Sequence, residues 1–128
     1  MENEHRIQTK GETEAQIGEA IIRFEKEYRG RGPTEAKTYS IDDMVLVRLK
    51  GVLTPAERQL AKSPEGADLI KKTRMQLLEG ARALLEKIVS DATACKVQSL
   101  HSDISTKTEE RIIIFTLDRS FEEKVPHR

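Results

Sequence analysis

The segment SLHSDISTKTEE, residues 99–110, sets a histidine among acids, serines and threonines just ahead of the apolar run RIIIFTLD. On an extended chain His101 and Asp103 alternate with Leu100 and Ser102, so the two share one face and could share a proton or supply half of a metal shell. A protein metal site usually takes three or four ligands, and the other histidines, His5 and His127, fall in the two ends of the chain, so no metal is expected. Ser99 or Ser102 could pair with His101 as a nucleophile, but no G-x-S-x-G elbow accompanies them, which disfavours serine hydrolase chemistry. Ser105, Thr106, Lys107, Thr108 and Glu109 are residues that a solvated hairpin turn prefers, because short polar side chains satisfy backbone groups locally. The favoured reading is a structural hairpin, with His101 and Asp103 as the exception worth testing. Cys95 beside Lys96 could carry a reactive thiolate, but the pattern favours packing into an aliphatic core.

A second candidate is YRGRGP, residues 28–33. Arg29, Gly30, Arg31 and Gly32 combine open backbone amides with guanidinium forks, a chemistry suited to phosphate or carboxylate. The segment lacks the preceding strand and following helix of a nucleotide-binding fingerprint, and the competing role of the two glycines is to end a helix and turn the chain. From Arg48 to Arg74 the chain also holds seven bases (Arg48, Lys50, Arg58, Lys62, Lys71, Lys72, Arg74) against three acids (Glu57, Glu65, Asp68), an excess of four. Arg48, Lys50, Arg58 and Lys62 are therefore a candidate partner surface, set against the plainer reading of a dispersed solvated face.

These residues need elements to hold them. Ile17, Ala20, Ile21, Phe24 and Tyr28 recur at helical spacing, with Thr13 and Gln16 as a capping box and Gly30 as a stop. Glu19 and Arg23, and Glu25 and Arg29, stand four residues apart and read as ion pairs on a solvated face. TEAKTYSI and MVLVRLKG read as a hairpin turning at Asp42 and Asp43. Its second strand presents Val45, Val47 and Leu49 on one face and the half-apolar set Met44, Leu46, Arg48 and Lys50 on the other. Two helix starts follow: Thr54 with Pro55 and Glu57, then Ser63 with Pro64. A short helix therefore precedes a long one, from Pro64 to Ala92, with Ile70, Leu77, Leu78, Ala81, Leu84, Leu85 and Ile88 in its apolar stripe and Gly80 as its only weak interior position. KVQSLHSDIS and ERIIIFTL form a second hairpin, whose last strand is apolar on both faces and so is expected either at the centre of a sheet or covered on both sides.

The expected fold is α+β and two-layered, in the order helix, β-hairpin, short helix and long helix, β-hairpin, with about four strands packed against helices. Residues 1–11 read as a flexible arm, 12–118 as one domain and 119–128 as a charged tail. A helix of about 28 residues would run ~40 Å against ~27 Å for an eight-residue strand. Its stripe would outrun the sheet, which predicts a twofold homodimer through the long helix.

Composition narrows the function. The 128 residues hold 22 basic and 22 acidic side chains, so no global field draws the chain to nucleic acid or an anionic membrane. Aromatics are only 4% and tryptophan is absent, which leaves little to stack on bases. The apolar runs MVLV and IIIF are too short to span a bilayer. One cysteine and no secretory opening fit a cytoplasmic location, extending to the inner face of the membrane as a peripheral protein. No cofactor is expected.

Taken together, YRGRGP, MVLVRLKGVLTPAERQLAK and SLHSDISTKTEERIIIFTLD make the chain resemble, from Thr13 to Asp118, the bacterial family named for MpsC, a component of the sodium-translocating membrane-potential-generating system. The resemblance implies work beside membrane-embedded transport subunits, in cation movement or inorganic-carbon supply, and carries over no catalytic residue. The leading expectation is a non-enzymatic accessory or regulatory subunit. One alternative is a KH-like nucleic-acid module, disfavoured by neutral charge and the lack of a GXXG loop. Another is a small-anion binder or enzyme in which Arg29, Arg31, His101 and Asp103 converge.

Overall fold

The computed structural model describes residues 8–121. Its elements are α1 (Lys10–Arg29), β1 (Glu35–Ile41), β2 (Met44–Lys50), α2 (Pro55–Leu60), α3 (Pro64–Gly80), α4 (Arg82–Thr93), β3 (Val97–Ser105) and β4 (Glu110–Leu117). Four antiparallel strands lie in the order β1-β2-β4-β3, so the two strands richest in aliphatic side chains are central. The fold is α+β with helices on one face of the sheet. Inward residues Val45, Val47, Leu49, Ile113, Phe115 and Leu117 meet Ile17, Ile21 and Phe24 of α1, Ile70 and Leu78 of α3, and Leu85 and Val89 of α4 in one core.

Two helix starts form as their sequences require. Thr54 Oγ1 accepts from the Glu57 amide at 3.1 Å while Glu57 Oε1 accepts from the Thr54 amide at 2.9 Å, and Ser63 Oγ accepts from the Gly66 amide at 3.0 Å. Helix α1 starts earlier than expected. Its capping box is Thr9 with Glu12, and Thr13, expected as the cap, is buried on the core face. Lys10 and Gly11, assigned to the arm, are helical; residues 1–7 lie outside the described residues. Gly30 ends α1 at φ 82°, a left-handed position that costs glycine little.

The expected long helix is two helices. Gly80 has no side chain to pack, and Ala81 breaks the ladder at φ −108° and ψ 9°, its amide turning to Leu78 O at 3.0 Å in a tighter turn. With 17 and 12 residues, the two pieces extend only ~26 and ~18 Å. No single helix here reaches the expected length, so helix length by itself no longer argues for a dimer. Ile70, Leu78, Ala81 and Leu85 are buried as the stripe requires, whereas Leu77 and Leu84 are 52% and 41% exposed.

The chain's end also joins the core. Phe121, placed by sequence in the charged tail, is 1% exposed, and its amide donates to Asp42 O at 3.0 Å, pinning the β1–β2 turn. Residues 122–128 of that tail lie outside the described residues.

Gly66 allows α2 and α3 to meet, since a Cβ there would stand 1.8 Å from Leu60 O, whereas a Cβ on Gly80 would touch nothing within 4 Å. Gly66→Ala should therefore destabilise the protein by about 2–3 kcal/mol in urea unfolding, while Gly80→Ala should leave stability unchanged or raise it by up to about 1 kcal/mol. Equal midpoints for the two variants would show that the α2–α3 contact is not tight.

Candidate functional site: a buried arginine cluster

The sequence candidates are scattered. His101 and Asp103 share the outward face of the edge strand β3, but each has its own partner: His101 Nε2 lies 3.1 Å from Ser99 Oγ, and Asp103 Oδ1 accepts from the Ile104 amide at 2.8 Å and lies 3.4 Å from Lys71 Nζ. Ser99 Oγ is held in turn by Thr116 Oγ1. Ser102, the other candidate nucleophile, faces the helices and accepts from Arg111 Nε at 3.1 Å. Ser99 and His101 thus meet on an exposed strand, open to water, which does not supply the sheltered geometry that nucleophilic catalysis uses. Cys95 is buried in the core.

Arg29 and Arg31 turn away from the glycine loop. Arg29 Nη2 donates to Val52 O, and Arg31 Nη1 donates to Leu53 O at 3.0 Å. They therefore fasten the end of α1 to the β2–α2 connection, on the side of the sheet opposite His101 and Asp103. The convergence of Arg29, Arg31, His101 and Asp103 in one concave site does not occur.

The basic run from Arg48 to Arg74 is largely neutralised by acids elsewhere in the chain. Arg48 pairs with Glu110 at 2.7 Å, Arg58 with Glu109 at 2.8 Å and Lys71 with Asp103 at 3.4 Å. Glu110 raises the Arg48 pKa through its hydrogen bond and its charge. Of the four candidate partner residues, Lys50 and Lys62 form no ion pair among the described residues.

What does converge is an interior charged cluster. Helical and strand registers put Glu25 on the core side of α1, Arg74 between Ile70 and Leu78 on α3, and Arg111 in alternation with Ile113, Phe115 and Leu117 on β4. Glu25, Arg74 and Arg111 are 1%, 3% and 5% exposed. The Glu25–Arg29 pair, expected on a solvated face, is thus buried, with a contact of 2.5 Å. Arg74 binds Glu57 through two bonds, Nε to Oε2 at 2.9 Å and Nη2 to Oε1 at 2.6 Å, and Nη2 also reaches Val52 O at 2.6 Å. Arg111 Nη2 donates to Arg74 O at 3.3 Å. Arg29, Arg74, Arg111 and Glu25 line a cavity of about 20 Å³ with Phe24, Tyr28, Leu77 and Leu78.

The cluster tunes its members. Partial burial raises the Glu57 pKa, but hydrogen bonds from Arg74 and the Thr54 amide, with the charges of Arg74 and Arg29, outweigh it and hold the carboxyl down at about 2. Burial lowers the Arg111 pKa; Glu25 opposes that, and the Arg74 and Arg29 cations reinforce it.

Because the Glu57 pKa is depressed in the folded state, its stabilising contribution is complete above the ordinary value of 4.5 and is lost as pH falls towards about 2. Chemical denaturation from pH 6 to 2.5 should show stability falling below pH 4.5 in the wild type. Glu57→Gln should be less stable at pH 6 and show a shallower decline; parallel curves would mean that this carboxylate is not coupled to folding.

The comparisons with known proteins agree with this geometry in extent. Residues 9–119 match the family model described as Na+-translocating membrane potential-generating system (MpsC). The uncharacterized protein YbcI of Bacillus subtilis (strain 168) is 41% identical over 117 residues, 91% of this chain and 94% of that protein. The uncharacterized protein YrhF of the same organism is 24% identical over 110 residues, 85% of this chain and 90% of that protein. No solved structure matches. The matched span begins at the α1 cap and ends just after β4, enclosing every residue of the arginine cluster, and the chain belongs to the MpsC family.

Proposed function

We propose that this protein is a non-enzymatic accessory or regulatory subunit of a membrane cation-translocating system, working in the cytoplasm by binding rather than by catalysis. The observation that carries the reading is family membership across the whole described domain, joined to the protein's surface. Among the described residues no helix is long and apolar enough to cross a membrane, so membrane-embedded partners would provide the path for the ion. The partner-facing element in this reading is the outward sheet face. Tyr39 and Ile41 are 42% and 47% exposed there, beside the half-buried Met44, Leu46, Ile112 and Ile114, with no helix of the described residues over them. Lys50 lies on the same face opposite Glu35 of β1 and Glu110 of β4, so the rim of this surface carries both signs of charge.

A homodimer belongs to the same proposal, now supported by exposed side chains rather than by helix length. Tyr28 and Leu77 are 53% and 52% exposed and flank one recess, and Leu84 follows on α4. Burying them against a second copy would remove their apolar surface from water and leave the sheet face for another partner.

Capture of the tagged protein from its native cell in mild detergent should recover multispanning transport subunits, and Leu46→Lys with Ile114→Lys should abolish that recovery without unfolding the domain. Sedimentation at micromolar concentration should show a dimer that Leu77→Glu converts to monomer. Recovery of ribosomal or RNA-processing proteins instead, unaffected by the sheet-face substitutions, would overturn the subunit role; a wild-type monomer would remove the dimer.

A further inference from the structure

The cavity between α1, α3 and the start of β4 differs from an ordinary packing defect in its charge. Three guanidinium groups, Arg29, Arg74 and Arg111, line it with Glu25 as the one acid. With Glu57 counted on Arg74, three cations face two anions, leaving one positive charge in excess. Arg74 is 97% buried, and its Nη1 has no hydrogen-bond partner among the described residues. Arg111 reaches only neutral acceptors, Ser102 Oγ and Arg74 O, and forms no ion pair among the described residues. A desolvated cation without a counter-charge is costly, as is a buried donor without an acceptor. One occupant could relieve both.

We propose that this cavity binds a single small monovalent inorganic anion of the chloride class. Arg74 Nη1 donates to it directly, and Arg111, the one cation of the cluster without an ion pair among the described residues, supplies the balancing charge. The volume of about 20 Å³ sets the size, since one water-sized body needs roughly 10–15 Å³ and a polyatomic oxyanion would require the walls to move. Phe24 and Leu78 form a dry wall that strengthens the attraction, and Tyr28 and Leu77, each about half exposed, stand where the cavity meets solvent. The inference rests on the cluster alone and does not depend on the proposed transport role.

The test compares thermal unfolding of the full-length protein in sodium gluconate, chloride and bromide at one ionic strength, together with bromide anomalous diffraction from crystals of the wild type. At about ten times the dissociation constant, chloride and bromide should raise Tm by roughly 5 °C over gluconate, saturably. A bromide peak should lie within hydrogen-bond distance of Arg74 Nη1. Arg111→Met, which removes the excess charge, should abolish the halide-dependent rise. If that variant does not fold, the wild-type bromide peak decides. Identical Tm values in the three salts, only water in the cavity, or an undiminished halide effect in a folded Arg111→Met protein would overturn the proposal.

Discussion

The carbonyl of Val52 is the point on which the arrangement of helices depends. It accepts from Arg29 at the end of α1 and from Arg74 in the middle of α3, and the next carbonyl, Leu53 O, accepts from Arg31. A connection between a strand and a helix has few backbone partners of its own, and Val52 and Leu53 are fully buried. Guanidinium groups reach such carbonyls from a distance and hold them in fixed planar geometry, which an ammonium group would not do. Glu57 then closes the arrangement, capping α2 with one oxygen while both its oxygens hold Arg74. Thus α1, α2 and α3 are fastened to one another through a loop, and aliphatic packing fills the space behind it.

This has a consequence for how the protein can work. The cluster faces the helical layer, while the uncovered sheet surface lies on the other side of β2 and β4. A partner on the sheet would act on strands whose inward residues touch the helices directly, because Arg111 and Ile113 alternate with Ile112 and Ile114 along β4. Family membership links the chain to a sodium-translocating system, and the fold exposes apolar side chains on two separate surfaces.

Much of the fold was legible because binary patterning and capping agree. Both hairpins, the cap at Thr54, the cap at Ser63 and the central place of β4 follow from alternation, turn residues and first-turn prolines. The α3–α4 break was partly legible: Gly80 is a weak helix position, but glycine inside helices is often tolerated, and only the packing of Ala81 decides that the chain turns there. The arginine cluster was missed for a different reason. Charged residues at i and i+4, such as Glu25 and Arg29, are ordinarily solvated, and nothing in their spacing says that the same face will be covered by another helix. The signal that could have revealed it is register: Glu25 follows Ile17 and Ile21 by one further turn, Arg74 lies four residues from both Ile70 and Leu78, and Arg111 continues the inward face of β4. Three charges at core positions on three elements imply that they meet in one buried polar cluster. Conversely, His101 and Asp103 drew notice by type alone, and their strand leaves them on the open side.

The account therefore turns on whether Arg29 and Arg74 act as one unit through the carbonyl they share. A double-mutant cycle of Arg29→Met and Arg74→Met, read by urea unfolding at neutral pH, measures this coupling directly. We expect each single substitution to cost about 3 kcal/mol or more and the pair to cost at least about 1 kcal/mol less than their sum. Strictly additive losses would contradict the account, showing that the two arginines stabilise separate parts of the fold.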